Sequence, residues 1–400
     1  MIVSIDGIDD FGSGVSHDLD KVCFVPNSMV GEKVSIEIVK SKKNYYVGKV
    51  TRYILKSPLR EKSICPYEDV CGGCQIPFFS VTDELCFKKN KFKNIMHKFG
   101  SVDICDIEIE SGERLNYRNK ITLAVSDGVM GLMREGSNEV VFIDKCLISN
   151  DVINDTISKI RDIVFNEKGI SKIVIKCGNK TGEVLLSING MVSNPEGFLK
   201  YCDVLVVNGR VLTDRKFISS YILNNKFYLS NYSFFQVNYE MTNILYSFIR
   251  EKVLECKSSN VLDLYCGVGT IGICVSDIVS SVYGIEIVDE AIKMAGMNKM
   301  LNSVNNIKFK SGDVGKLIYD LDIYYDTYIL DPPRSGVCKN IIDEIFRKMP
   351  RNIIYVSCDP VTLARDVKLL KEKYDVKEMR LFNMFPRTYH VESVCVLKQK

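Results

Sequence analysis

The spacing of hydrophobic and polar positions divides the chain into three regions. Over residues 1–56 apolar and polar residues alternate in short runs: Ile2-Val-Ser-Ile5, Lys21-Val-Cys-Phe-Val25, Lys33–Val39 and Tyr46–Ile54. That is the period of half-buried strands. Gly12-Ser-Gly14, Pro26-Asn27 and Gly31 break the runs, so the pattern predicts a small β-barrel of the OB type. Residues 57–230 form a second region: an irregular stretch to about residue 80, a helix over about 81–99, and short β-rich runs around one amphipathic helix, Asp151–Asn166. This reads as a small central α+β domain, with the option that helix 81–99 packs on the third region instead. From 231 to 400 strand-like runs (Asn260–Leu264, Ser281–Ile285, Asp326–Leu330, Asn352–Val356) alternate with helical stretches. Such alternation predicts an α/β, Rossmann-like, doubly wound domain.

Composition adds bounds. The chain of 400 residues is 46% hydrophobic and 26% charged, which excludes a disordered or collagen-like protein. No run reaches the roughly 18–20 uncharged apolar residues of a membrane span. Met1–Asp10 has acids where a secretory leader carries basic residues, so a cytoplasmic location is expected. Nothing demands a dimer, and a monomer is expected. The net charge of +3 decides no partner, but residues 40–52 hold five basic residues and no acid around Tyr45 and Tyr46. Such a segment suits phosphate contact and base stacking; a solvated strand edge is the plainer reading. The lysines at 88, 89, 91, 93 and 98 read as a solvated helix face.

Candidate chemistry falls where the third region's strands end, the place where such sheets bind ligands. Asp263-Leu-Tyr-Cys-Gly267-Val-Gly269-Thr-Ile-Gly272 runs from strand through a glycine turn into a helix. Its spacing fits a nucleoside-like cofactor and leaves a methyl donor and NAD both open. Glu286, at the end of the next strand, is placed to hold ribose hydroxyls in either case. Asp331-Pro-Pro-Arg334 ends a later strand, and its prolines fix the Asp331 carboxylate at the crevice. Tyr355-Val-Ser-Cys358-Asp-Pro360 brings a thiol to the same edge, just before a helix N-terminus expected to favour its thiolate. Glu392 enters an apolar final strand, where partial desolvation would raise its pKa and suit it as a base.

Fifteen cysteines are many for a reducing compartment, and their odd number argues against a disulfide framework. Cys65, Cys71 and Cys74, with Gly72 and Gly73 between them, are spaced for convergence on one centre, with Cys146 as fourth ligand and Cys86 as its competitor. Four thiolates suit zinc and [4Fe–4S] about equally. His17, His97 and His390 share no ligand spacing.

In this order the motifs resemble the RNA 5-methyluridine methyltransferases, specifically the iron–sulfur branch acting on 23S ribosomal RNA. Asn116-Tyr-Arg-Asn-Lys120, Phe234-Phe-Gln-Val-Asn238, Ser357-Cys-Asp-Pro360 and Phe385–Glu392 carry the resemblance together with the four cysteines. It covers essentially the whole chain, including an N-terminal part similar to a TRAM domain. The resemblance implies S-adenosylmethionine held by Gln236, Tyr265, Glu286, Asp313 and Asp331. It further implies Phe234 at the pocket of a flipped uridine, a [4Fe–4S] cluster on Cys65, Cys71, Cys74 and Cys146, Cys358 as nucleophile and Glu392 as base. The competing readings are a transfer-RNA uracil-5-methyltransferase, an exocyclic-amine methyltransferase without a covalent step, an NAD-dependent oxidoreductase, and a non-enzymatic metal-stabilised RNA-binding protein.

Overall fold

The alternating N-terminal runs do form strands. In the computed structural model, which describes residues 1–400, six strands make one sheet in the order Ile2–Ser4, Lys33–Ser41, Tyr45–Leu55, Val22–Val25, Gly14–Ser16, Gly7–Ile8. Register shifts interrupt the pairing of Lys33–Ser41 with Tyr45–Leu55. Such bulges bend a sheet toward closure. Val3, Ile5, Cys23, Val25, Val34 and Ile36 fill its inner face. The short strands Gly7–Ile8 and Gly14–Ser16 carry too few residues to show a period.

The chain gathers into two units that interleave along the sequence. The first comprises Met1–Lys91, Gly131–Ile143 and Phe385–His390; the second comprises Phe92–Met130, Asp144–Met384 and Val391–Lys400. In the first, residues 81–91 of the helix Val81–Ile95 do not present a solvated lysine face. Lys88 is fully buried, its Nζ donating to Glu84 at 2.9 Å and to the Phe385 carbonyl at 3.0 Å. Lys91 donates to the Tyr389 carbonyl at 3.1 Å. Tertiary partners override the helical charge pattern here.

The second unit holds two sheets of consequence. One runs Lys120–Ser126, Ile170–Cys177, Val184–Gly190, Val204–Val207, Arg210–Val211, with the amphipathic helix Asp151–Asn166. The other is the predicted Rossmann-like sheet. Its eight strands run Ile307–Ser311, Ser281–Glu286, Asn260–Leu264, Thr327–Leu330, Asn352–Ser357, Glu392–Gln399, Tyr374–Phe382, Glu108–Glu110. The first five are mutually parallel, and Glu392–Gln399 is antiparallel to both its neighbours. Burial on both faces explains the near-continuous apolar runs Val261–Leu264 and Ile353–Val356. No helix is long and apolar enough to cross a membrane.

Candidate active site

Ladder register decides which residues meet. Leu264 pairs with Ile285 on one side and Leu330 on the other. The residues that follow, Tyr265, Glu286 and Asp331, therefore leave the sheet side by side. The order reverses at this point: from Asn260–Leu264 the chain proceeds to Ser281–Glu286 on one flank and only later to Thr327–Leu330 on the other. A crevice opens at such a switch point. The turn out of the central strand is left-handed, with φ of +65° at Tyr265 and +81° at Gly269. A Cβ at Gly269 would also meet the Phe309 ring at 2.6 Å, so glycine is required there. Glu286 accepts the Gly267 N–H at 3.2 Å and the Val288 N–H at 3.0 Å, which fixes the turn against the next strand.

A cleft with about 430 Å³ of empty space lies over this turn, lined by Phe234, Gln236, Tyr265 and Asp331 among the expected residues. Glu286 and Asp313 do not line it directly, but both contribute to the negative field at the Tyr265 hydroxyl. Three further side chains join the site. Tyr246 and Thr270 share a 2.8 Å hydroxyl bond in the cleft wall; Tyr246 is buried in the helix Tyr239–Glu255, and no motif flags it. Asp263, fully buried beneath the turn, accepts the Gly272 N–H through Oδ2 at 3.0 Å, while its Oδ1 has no partner. Burial, then the charge of Asp331, pushes Asp263 up to about 8.

The second half of the site comes from the antiparallel edge. Ser357 pairs with Ser393, and Ser393 Oγ donates to the Ser357 carbonyl at 3.1 Å. The ladder ends there, and the next residue, Cys358, lies close enough to Glu392 to feel its charge. Glu392 is only 3% exposed, and burial followed by the Asp331 charge holds it well above the usual carboxylate range, against Arg334. Burial raises Asp331 to about 7. Cys358 is pushed up to about 11 by burial and then Glu392, with Arg334 opposing. This reverses the expectation of a helix-favoured thiolate. The first N–H groups of the helix Pro360–Leu370 are already taken by the Asp359 side chain, which accepts from Val361 and Thr362. Arg334, read in sequence only as part of the proline motif, is the cation facing both groups.

The cysteines fit their expected role less well. No group of three or more Cys, His, Asp or Glu side chains is arranged to hold a metal ion. The glycines expected to let sulfurs converge do other work: a Cβ at Gly72 would meet the Glu135 backbone at 3.0 Å, and the Gly73 N–H donates to Cys71 Sγ at 3.4 Å. Cys146, in the second unit, is held through its backbone by Asn154 at 2.9 and 3.1 Å.

With this geometry in place, likeness to known proteins becomes informative. The family model described as tRNA (uracil-5-)-methyltransferase matches residues 209–312 and 316–400, the part that builds the cleft and both edges. An uncharacterized RNA methyltransferase of Clostridium acetobutylicum is 33% identical over 98% of this chain and 96% of its own. The chain belongs to the RNA uracil-5-methyltransferase family. An uncharacterized RNA methyltransferase of Halalkalibacterium halodurans is 30% identical over 100% of this chain and 96% of its own. Among solved structures, a Pyrococcus abyssi tRNA (uracil-54, C5)-methyltransferase in complex with S-adenosyl-L-homocysteine superposes with a TM-score of 0.81. It is 28% identical, over 99% of this chain and 100% of that one. This RNA methyltransferase thus keeps the expected fold class, a barrel-like sheet ahead of a Rossmann-like domain.

Proposed function

We propose that this enzyme methylates uridine C5 in RNA through a covalent bond between Cys358 and C6, with S-adenosylmethionine in the cleft between Gln236, Tyr265 and Asp331. The observation that supports the reading is the nearness of Cys358 to the buried Glu392, whose charge acts on the thiol, with Asp331 of the cleft acting on both. Uracil C5 is a weak nucleophile. Attack of the Cys358 thiolate on C6 moves electron density through the ring and makes C5 able to take a methyl group. Bound S-adenosylmethionine supplies that methyl as an electrophile, under a positive sulfonium charge. Glu392 then takes the C5 proton, the C5–C6 double bond re-forms and Cys358 leaves as thiolate. Its raised pKa makes Glu392 a stronger base for that proton than an ordinary carboxylate. Arg334 favours loss of the Cys358 proton before attack, since its charge opposes the burial. Phe234, 72% exposed at the cleft mouth, offers a stacking face to a base taken out of its helix.

The roles of Glu286 and Asp313 at the nucleoside edge belong to the same proposal. So does a division of labour in which residues 1–56 grip RNA as a TRAM-like barrel, 57–230 form the central domain and 231–400 the catalytic one, in a cytoplasmic monomer. The cluster reading rests on the order of Cys65, Cys71, Cys74 and Cys146 and on the softness of thiolate donors alone, and no step above runs through it. Iron and sulfide analysis of anaerobically purified protein decides it: about four irons per chain keep the cluster, none removes it.

Ribosomal 23S RNA is the substrate favoured by the cysteine order; the tRNA activity named for the Pyrococcus abyssi relative and for the matched family supports tRNA as the second reading. Transfer from labelled S-adenosylmethionine to unmodified 23S fragments and to tRNA transcripts, followed by nucleoside mass analysis, separates them. The expected product is 5-methyluridine, lost in Cys358→Ala. A methyl group on nitrogen would refute the covalent route.

A further inference from the structure

Lys176 sits in the strand Ile170–Cys177, paired with Lys120 on one side and Leu185 on the other. It is 6% exposed. Two lysines directly opposite each other in a ladder repel, and a buried ammonium without partners is costly. The structure answers with three acceptors: Lys176 Nζ donates to the carbonyls of Ser230 at 2.9 Å, Asn231 at 2.8 Å and Ser233 at 3.0 Å. We propose that Lys176 is a positioning residue of the active site, tying down the loop that carries Phe234 and Gln236 into the cleft.

The rest of that loop is built as a fixed arch. Ser230 and Ser233 exchange backbone-to-side-chain bonds of 3.1 Å in both directions and share a hydroxyl bond of 2.8 Å. At the far foot, Asn119 donates to the Gln236 carbonyl at 3.1 Å and to the Val237 carbonyl at 2.9 Å. Between the two feet stand Phe234 and Tyr232, 72% and 70% exposed. Rings left in water have little packing to hold them, so their placement depends on the backbone beneath. Burial, with Lys120 opposite, pushes Lys176 down to about 7. The neutral amine still has two N–H donors, so the tether persists in either state. Removing the side-chain nitrogen would orphan three carbonyls whose bonds nothing else on the loop replaces.

The inference rests on the cleft being the S-adenosylmethionine and uridine site, and the test separates the two. Lys176→Met removes the donors at nearly constant length; Lys176→Arg keeps them. In the full-length protein, Lys176→Met is expected to weaken S-adenosylmethionine binding and raise KM for RNA by about tenfold or more. The kcat should fall by less, and Lys176→Arg should recover most of the loss. Hydrogen exchange should accelerate in residues 230–236 and stay unchanged in the strands 170–177 and 184–190. Should Lys176→Met not fold, Lys176→Gln, whose arm is one bond too short to reach all three carbonyls, carries the same measurements. Affinity and KM within twofold of wild type, or faster exchange spread through the whole sheet, would overturn the positioning role. Asp331→Asn runs alongside: if it too leaves S-adenosylmethionine binding intact, the assignment of the cleft fails, and not the tether.

Discussion

Glu84 and Glu392 are both carboxylates withdrawn from water, in different units and in opposite surroundings. Glu84 receives Lys88 Nζ at 2.9 Å and the Arg387 N–H on both oxygens, at 3.0 and 3.1 Å. Glu392 faces Asp331 and Cys358 and has only the exposed Arg334 to oppose them. A buried acid that holds structure is matched on every side, because an unmatched one would cost several kcal/mol. An acid kept for proton transfer is left among like charges, which moves its pKa toward neutrality. The contrast assigns one pair to stability and the other to chemistry, and it can be broken from either end.

The largest effect belongs to the chemical end. Cys358→Ala should cost roughly 10⁴-fold or more in methyl transfer, as loss of a nucleophile does elsewhere, while S-adenosylmethionine affinity stays near wild type. Glu392→Gln should lower turnover by about 10²- to 10⁴-fold. Because the C5 proton then has no acceptor, protein–RNA adduct should accumulate and appear on denaturing gels. At the structural end, Glu84→Gln or Lys88→Met alone should destabilise the fold by about 3–5 kcal/mol, whereas the double variant should lose less than the sum. Thermal and denaturant unfolding measure this. If the double variant is as damaging as the sum, the pair is not a matched unit.

The smallest effect sharpens the comparison through pH. Asp263 rises to about 8 and Asp331 to about 7 in the fold, from ordinary values near 3.8. A carboxyl whose pKa is raised on folding adds stability below its unfolded pKa and loses it as pH climbs through the folded one. Wild-type stability should therefore fall between about pH 4 and pH 8. Each group contributes at most about 1.4 kcal/mol per pH unit. Asp263→Asn should flatten part of that slope and leave the Asp331 part. Denaturation midpoints at pH 5 and pH 8.5 suffice; an unchanged slope in the variant would show that Asp263 is not protonated in the fold.

What could be read from the sequence follows from how local each signal is. The barrel strands were legible because alternation and glycine turns act within ten residues. The crevice was legible because strand ends fall beside each other in any parallel sheet, and Glu392 stood out as an acid at the head of Glu392–Gln399. The pairing of Lys88 with Phe385 and of Lys176 with Ser230 joins residues about 300 and 50 apart. In a one-dimensional pattern both lysines look like surface. Tyr246 enters the site only through packing, and nothing in its spacing marks it. The expectation of a Cys358 thiolate fails because the burial of the thiol and the charge of Glu392, 34 positions away in the chain, show only in three dimensions. Soft-ligand spacing at Cys65–Cys74 likewise says nothing about where the intervening glycines press.

The covalent step is the centre of the account, and one measurement reaches it directly. RNA carrying 5-fluorouridine at the target has no C5 proton for Glu392 to remove, so methyl transfer should stop with the base attached to Cys358. The account predicts a complex that survives denaturation, has the mass of protein plus RNA plus one methyl group, requires S-adenosylmethionine and is absent with Cys358→Ala. Efficient methylation of ordinary RNA with no such complex, or an equal complex from Cys358→Ala, would contradict it.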